Sequence, residues 1–365
     1  MGLIHSIACQ DANPIKKQPK FPNLFYDAYG NQLKPHQTYI ALCYGYLGTN
    51  YHGSSLHDQD KTVTLELQEA LVNLGVISPN RTKGALKWSE SSRTDTGVHA
   101  AKQVATFRLV LPEGVKVKDL PRLIQKQLSK NSPIRVWAAV KPGIIFNAQQ
   151  SASSRRYHYL LPVNTFSSEN IDHLNYLRAK ICPIFVGRHQ YANYTRHITD
   201  ELLHTSIKTI SEFTFTDPFD VNGTKYVLFT ISGNSFMLNQ IRKMIAAVLA
   251  VSHHLMTEDD LKDTLTETRW LLPRLIGTGL FLDQVFFEQN QIIRQHKDKP
   301  IPKKKDIHFS FVSEEIEVWK RNILFNHIDQ IVKEKDPFKE WVNNILLQFP
   351  PNKFNIDDQK QEFSS

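Results

Sequence analysis

Hydrophobic and polar positions in the first part of the chain predict a strand, a helix and a second strand. Residues 39–46 form a nearly continuous apolar run, which is typical of a strand buried on both faces. Leucines recur at helical spacing in 64–74, and Gly75 follows at the position where helices commonly end. Apolar and polar residues then alternate over 104–109, as they do in a half-buried strand.

A second round of elements follows the first. The predicted strands span 157–163, 210–215 and 226–231, and the predicted helices span 174–181 and about 237–253. Thr257 and Asp260 have the spacing of a capping box, which indicates one more helix. Because helices do not separate the strands regularly, the pattern favours an α+β layer structure over a doubly wound sheet.

The ends of the chain and one internal segment differ from the rest in composition. Prolines interrupt residues 1–37, which predicts a poorly ordered lead-in. Residues 289–306 are polar and lysine-rich, which predicts a linker, and helical spacing returns over 315–349. The last dozen residues are expected to be frayed.

Composition and charge narrow the class of protein. The 365 residues carry a formal net charge of +8, which suits a polyanionic partner such as nucleic acid, although many basic proteins bind no RNA. The three cysteines are widely spaced, so they indicate neither a disulfide framework nor a CxxC metal site. No stretch approaches the length of uninterrupted apolar sequence that spans a membrane. We also find no phosphate-cradling glycine loop and no cluster of Cys and His ligands.

One short segment concentrates groups that can do chemistry. Within Ser92–Ala100, a cation, a carboxylate, a glycine and an imidazole occur at Arg93, Asp95, Gly97 and His99. Gly97 allows a tight turn, which could present Asp95 into a cleft at the edge of a sheet. The alternative is an Asx-type turn in which Asp95 bonds its own backbone, and spacing alone favours that alternative.

This segment resembles the RTDxGVHA signature of the TruA family of tRNA pseudouridine synthases. Other stretches resemble the family's motifs in the same order along the chain. They are Phe146–Gln150 with Arg155–Tyr159, Gly233–Met237 with Gln240–Met244, and Gly279–Phe287. The third motif in its fuller form, together with the helical C-terminal segment, is similar to the eukaryotic branch of the family.

The resemblance implies roles for individual residues. Asp95 matches the family's catalytic nucleophile, Arg242 matches the arginine that pairs with it, and Tyr157 matches the active-site tyrosine. Tyr159 lies two residues further on and could fill the tyrosine's role instead. Without the resemblance, Arg242 would be taken for a solvated helix residue. The basic and imidazole side chains near the motifs are candidates for RNA contacts: Arg93, His99, Lys102, Arg155, Arg156 and Lys243.

The implied activity is isomerisation of uridine to pseudouridine in tRNA, with no cofactor and no metal. The eukaryotic branch suggests positions 27 and 28 of the anticodon stem, and other structured RNAs as further substrates. Whether Asp95 attacks C1′, attacks C6 or abstracts a ribose proton stays open, as does acylation of Gly2. The alternatives are a non-catalytic RNA-binding or RNA-folding protein on the same scaffold and, more distantly, a metal-dependent RNA hydrolase.

The implied fold is α+β, with two RRM-like (ferredoxin-like) subdomains whose antiparallel sheets join across a central cleft. We place these subdomains at 38–140 and 141–290, after the lead-in 1–37. Residues 291–365 are expected to form a linker and C-terminal helices that pack on the second subdomain. A monomer is expected, resident in the nucleus, with the mitochondrion or cytoplasm as alternatives.

Two positions depart from the family's pattern. Ser54–Ser55 stand where the family usually has a glutamine close by, so a backbone or RNA contact is expected to differ there. Ile276 stands where the family often has a proline, which is expected to alter one loop.

Overall fold

The fold is seen in a computed structural model of the chain. It describes residues 36–56, 61–79, 86–143, 145–195, 205–288 and 307–353. The predicted linker, the last dozen residues and nearly all of the predicted lead-in lie outside this range, so those expectations stay predictions. No helix within the described ranges is long and apolar enough to cross a bilayer.

The first round contains the predicted strand, helix and second strand, although the second strand begins earlier than predicted, and it adds two strands and one helix. It comprises β1 (Thr38–Tyr46), α1 (Val63–Leu74), β2 (Ser89–Glu90), β3 (His99–Leu109), α2 (Leu120–Gln127) and β4 (Ile134–Val140). Helix α1 begins where Thr62 accepts a hydrogen bond from the Leu65 N–H, and it ends at Gly75, whose φ of 82° is left-handed. Both ends of this helix therefore follow from local sequence signals.

The second round is longer and carries the C-terminal helices. It comprises β5 (Ser154–Pro162), α3 (Ile171–Tyr176), β6 (Gly187–Gln190), β7 (Ile207–Phe215), β8 (Phe219–Val221), β9 (Thr224–Gly233), α4 (Gln240–Ser252), α5 (Glu258–Asp263), β10 (Trp270–Leu271), β11 (Leu280–Phe286), α6 (Ser313–Trp319), α7 (Phe325–Lys335), α8 (Pro337–Trp341) and β12 (Asn352–Lys353). The predicted capping box is confirmed, because Thr257 and Asp260 exchange side-chain and backbone hydrogen bonds at the start of α5.

Ten strands form one mixed sheet. Its order is β4-β1-β3-β11-β5-β9-β7-β6, with β2 paired to β3 and β8 paired to β9. All these pairs are antiparallel except β3 and β11, which run parallel with Phe281 opposite His99 and Leu282 opposite Ala100. The mixed α and β content agrees with the expectation. The strands form one continuous sheet, however, and a division near residue 140 stays a prediction.

Strand β11 enters the sheet at a point of very close backbone contact. Leu160 donates its N–H to the Gly279 carbonyl over 2.9 Å. A Cβ at Gly279 would lie 2.3 Å from the Leu160 carbonyl oxygen, so only glycine fits there without moving backbone. The glycine of the closing motif thus has a structural reason to be a glycine.

The C-terminal helices contact strands from both rounds, not only from the second. Trp319 at the end of α6 packs edge-on against Trp137 of β4, with 5.6 Å between ring centroids. Phe325 of α7 packs near Phe281 of β11. These helices therefore contact strands of the second round, as expected, and they also contact β4 of the first.

A buried ion pair fastens the C-terminal segment to β11. The Lys320 ammonium lies 2.6 Å from one Asp283 oxygen, and the Arg156 guanidinium lies 2.7 Å from the other. The side chains of Lys320 and Asp283 are 5% and 4% exposed. Burial raises the pKa of Asp283, but the neighbouring positive charges outweigh it and hold the pKa below its usual value.

We predict that Lys320→Met lowers the free energy of unfolding by about 3 kcal/mol, because it removes one partner of a buried carboxylate. Chemical denaturation measures this change. The matched control is Lys262→Met, which breaks an exposed ion pair with Glu258 and should change stability little. Equal effects of the two substitutions would contradict a structural role for the Lys320–Asp283 pair.

Candidate active site

A cavity of about 880 Å³ opens beside the loop that precedes β3. Its walls come from segments far apart in sequence: the loop 91–98, the start of β5, the segment 235–242 at the start of α4, and Arg274. Asp95, Tyr157 and Arg242 all line it. The structure therefore brings together the three residues that were predicted to be catalytic.

The Asp95 loop turns tightly and leaves the carboxylate free. Gly97 has a φ of +78°, and the Val98 N–H donates to the Asp95 carbonyl over 3.1 Å. The Asp95 side chain is half-buried and makes no hydrogen bond with any described residue. The Asx-type turn considered from spacing alone is therefore absent, and the carboxylate is available to a ligand.

Neighbouring segments hold this loop from one side. Ser54 donates its N–H to the Thr94 carbonyl and accepts the Thr94 N–H on its hydroxyl, both over 3.1 Å. Tyr46 bonds the Thr94 hydroxyl at 2.7 Å. Ser54 is fully buried, so the departure from the family's pattern here serves the backbone adjoining Asp95.

A second carboxylate, Glu90, lines the cavity and was missed by sequence reasoning. It accepts hydrogen bonds from Ser55, Thr64 and the Trp88 indole. Its acceptor capacity is thus taken up by protein donors, unlike that of Asp95. Its donors Ser55 and Thr64 lie far from it in sequence, so no local pattern indicated it.

Tyr157 faces the cavity from β5. Its hydroxyl lies 2.7 Å from the Ser92 hydroxyl, and its ring packs edge-on against Phe236 at 5.4 Å. Burial raises the pKa of Tyr157, so the phenol is neutral near pH 7. Tyr159, the alternative, is fully buried and donates its hydroxyl to the Ile276 carbonyl over 2.8 Å. The structure therefore favours Tyr157 as the tyrosine of this site.

Arg242 stands in the first turn of α4, close to the Asp95 loop. Its Nε donates to the Leu275 carbonyl over 2.6 Å. A Cβ at Gly277 would lie 3.6 Å from the Thr96 carbonyl oxygen and 4.0 Å from Arg242 Cζ, so the two segments are near neighbours.

Asp95 and Arg242 interact electrostatically without touching. No ion pair within 4.0 Å joins these two described side chains. Burial lowers the pKa of Arg242, and the charge of Asp95 opposes that shift. A guanidinium remains protonated under these conditions. Arg242 and Asp95 therefore line the cavity as a cation and a free carboxylate that are more than 4.0 Å apart.

Helix α4 begins at a strained residue that sequence reasoning also missed. Asn239 has φ 67° and ψ 0°, a left-handed conformation that is uncommon outside glycine. Its side chain lines the cavity and makes no hydrogen bond with a described residue. This conformation sets the direction in which α4 leaves the cavity wall.

The predicted RNA contacts divide into two groups. Arg93 is exposed at the cavity, and Arg155 lines it while donating to the carbonyls of Ser91 and Asn234. The other four candidates are absent from the cavity lining: His99, Lys102, Arg156 and Lys243.

The second group serves the protein interior. Lys243 donates to two backbone carbonyls, and burial lowers its pKa to about 8. Lys102 is buried within the sheet. Arg156 lies on the face of β5 opposite Tyr157 and is ion-paired with Asp283. Neighbours along a strand point to opposite faces, so this separation follows from the strand itself.

His99 is fully buried and bonded through both ring nitrogens. Nδ1 accepts the Gly48 N–H at 2.9 Å, and Nε2 donates to the Thr278 carbonyl over 3.0 Å. Burial lowers the pKa of His99 to about 3, so the ring is neutral. The expectation that His99 contacts RNA is corrected: it joins the loop after β1 to the loop before β11.

Comparison with known proteins gives consistent matches. Residues 181–287 match the family model described as tRNA pseudouridine synthase. The chain is 23% identical over 385 residues to tRNA pseudouridine synthase 1 of Yarrowia lipolytica, covering 79% of this chain and 70% of that protein. It is 30% identical over 269 residues to the pseudouridylate synthase 1 homolog of Homo sapiens, covering 68% and 60%. It is 30% identical over 223 residues to tRNA pseudouridine synthase A of Methanococcoides burtonii, covering 60% and 71%.

These matches assign the chain to a class of enzymes, the pseudouridine synthases, which are isomerases. Within that class, the chain belongs to the tRNA pseudouridine synthase family, also called the TruA family. Eukaryotic proteins are among its relatives, in agreement with the branch that the Gly233–Met244 motif suggested.

We predict that His99 makes stability depend on pH. Its pKa is about 3 in the folded state against 6.5 ordinarily, so the folded protein binds fewer protons than the unfolded one between these values. The contribution of the neutral imidazole to the free energy of unfolding is complete above pH 6.5. It declines by about 1.4 kcal/mol for each pH unit below that value. Denaturation of wild type and His99→Gln from pH 7 to 4.5 measures it. A stability difference that stays constant over this range would show that the imidazole is not held neutral.

Proposed function

We propose that this chain converts uridine in tRNA to pseudouridine, with Asp95 as the catalytic carboxylate and no cofactor. The observation that supports this most directly is the free Asp95 carboxylate facing Arg242 and Tyr157 in one cavity. A volume of about 880 Å³ is ample for one extruded nucleotide.

The reaction rearranges bonds within one nucleotide. The bond from ribose C1′ to uracil N1 breaks, the base rotates, and a bond forms from C1′ to C5. The proton on C5 is lost and N1 gains one, so atoms and charge balance without an oxidant. A carboxylate serves such a reaction only when ionised, which a nearby guanidinium favours.

Arg242 and Tyr157 have complementary tasks in this proposal. When an extruded base fills the cavity and displaces water, the attraction between Arg242 and the Asp95 carboxylate strengthens. Arg242 thereby supplies a counter-charge to Asp95 inside the cavity. The neutral phenol of Tyr157 suits stacking against uracil and hydrogen bonding, with Ser92 fixing its hydroxyl.

The substrate must release its uridine from a helical stack, which costs a few kcal/mol. Contacts to phosphates and ribose hydroxyls elsewhere on the RNA offset this cost. Arg93, exposed at the cavity, is suited to such contacts. Anticodon-stem positions 27 and 28, other structured RNAs as substrates, nuclear residence and a monomeric state stay predictions.

We predict that Asp95→Asn lowers pseudouridine formation by roughly 1,000-fold or more while leaving folding and tRNA affinity intact. Within the described part of the chain the side chain has no hydrogen bond to lose, so stability should not change. Tritium release from uridine-labelled tRNA measures turnover, and Asp259→Asn on an exposed helix is the matched control. Turnover by Asp95→Asn near that of the control would refute the assignment, and absent turnover by wild type would favour a non-catalytic RNA-binding protein.

We predict that Arg242→Met lowers turnover much more than tRNA affinity, because its charge acts on Asp95 inside the cavity. Arg242→Lys is the matched variant: it keeps a positive charge but not the guanidinium geometry, so its loss should be smaller. Single-turnover rates and equilibrium binding separate the two effects. Equal losses in binding and rate would show that Arg242 only holds RNA.

A further inference from the structure

Arg274 is a cavity-lining cation that has no partner among the described residues. It is exposed at the rim, and its guanidinium has no hydrogen bond or ion pair with the described part of the chain. It lies outside every motif that the sequence indicated. Its position therefore needs an explanation beyond the carboxylate and its counter-charge.

Side-chain donors hold the backbone of residues 274–276 in place. Three consecutive carbonyls each accept one side-chain donor: Arg274 from the Trp341 indole over 2.9 Å, Leu275 from Arg242 over 2.6 Å, and Ile276 from Tyr159 over 2.8 Å. Two of these donors, Arg242 and Tyr159, lie on α4 and β5. The third, Trp341, belongs to helix α8 of the C-terminal segment.

Helix α8 is itself buried against the sheet at this point. Trp341 is largely buried, and Phe338 packs edge-on against Tyr159 with 6.2 Å between ring centroids. The C-terminal segment thus abuts the same short stretch of chain that Arg242 contacts. A rigid backbone with an unpartnered guanidinium is an arrangement preorganised for a ligand.

The charges around the cavity indicate what that ligand is. Among the residues that the structure describes, four arginines line it against two carboxylates, Asp95 and Glu90. Glu90 is engaged by protein hydroxyls and an indole, while Arg155 and Arg242 donate to backbone carbonyls. An excess of positive charge therefore remains at the mouth. A planar guanidinium there matches the two oxygens of a phosphodiester.

We infer that Arg274 binds a backbone phosphate next to the extruded uridine, and that Trp341 positions it. The inference rests on the proposed function for the identity of the nucleotide. The base enters the cavity while its flanking phosphates stay at the mouth, where Arg274 stands. Arg274 is a binding residue in this scheme, and Trp341 is a positioning residue that acts through the peptide of Arg274.

The test uses the full-length protein and RNA stem-loops that carry one neutral methylphosphonate at a time, on either side of the target uridine. Equilibrium dissociation constants are measured for wild type, Arg274→Ala and Arg274→Lys. On natural RNA, Arg274→Ala should weaken binding about 10-fold and reduce the salt slope by roughly 0.7 to 0.9, with a smaller loss for Arg274→Lys. At one methylphosphonate position, wild type should lose affinity and Arg274→Ala should lose none further.

Trp341→Phe keeps an aromatic ring but removes the donor to the Arg274 carbonyl. It should weaken binding in the same direction by a few-fold, and this loss should vanish at the same methylphosphonate position. If the substitution only disturbed the structure, the loss of affinity would instead be equal for every RNA. Arg321→Ala, an exposed arginine of the C-terminal segment, is the control and should not depend on the phosphate.

Equal losses for Arg274→Ala on natural RNA and on every methylphosphonate RNA would overturn the phosphate contact. A base contact would appear as a loss that follows nucleotide identity, and it too would overturn the inference. Because these are binding measurements, they are independent of turnover. A wild type that binds RNA without making pseudouridine would sink the proposed function and leave the test of Arg274 standing.

Discussion

The site depends on the parallel pairing of β3 with β11. Strand β11 lies between β3, which follows the Asp95 loop, and β5, which carries Tyr157. Without that pairing, the strand after the Asp95 loop and the strand that carries Tyr157 would not belong to one sheet. His99 reinforces the pairing by bonding one loop on each side of it. Backbone groups, rather than water, bond both nitrogens of its ring. This explains why an imidazole in a catalytic motif is buried and neutral.

The separation of Asp95 from Arg242 is as informative as their proximity. A direct ion pair would occupy the carboxylate and close the space that a base must enter. Held apart across solvent, the two charges interact weakly, because water screens them. The same charges interact strongly once a ligand excludes water. The electrostatic support for the carboxylate is thus greatest when the substrate is in place.

Local signals were sufficient for much of the fold. Gly75 ends α1 and the Thr257 capping box starts α5 as predicted, because each depends on a few adjacent residues. The continuous sheet could not be predicted in this way, since the β3–β11 pairing joins residues some 180 positions apart. Among site residues, the Asp95 segment was recognisable from its motif.

Other site residues show where sequence reasoning stops. Arg155 and Arg156 were grouped together, yet strand alternation alone separates them, and the structure sends Arg156 to Asp283. Strand periodicity could have found that difference. Glu90 and Arg274 could not have been found in this way, because each gains its place in the cavity through contacts between distant segments.

The C-terminal segment is also held by contacts between residues that are far apart in sequence. Lys320 forms an ion pair with Asp283 on β11. Trp341 donates to the carbonyl of Arg274, which precedes Asp283 by nine residues in sequence. One contact thus acts on β11, the strand that joins the two rounds of the sheet, and the other acts on the stretch of chain that leads into it. Helices attached there stabilise the sheet and the cavity rim together, since neither can shift without breaking a buried polar contact. The extension is therefore an integral part of the active-site framework, and its removal would expose the buried Asp283 carboxylate and loosen the backbone that Arg242 contacts.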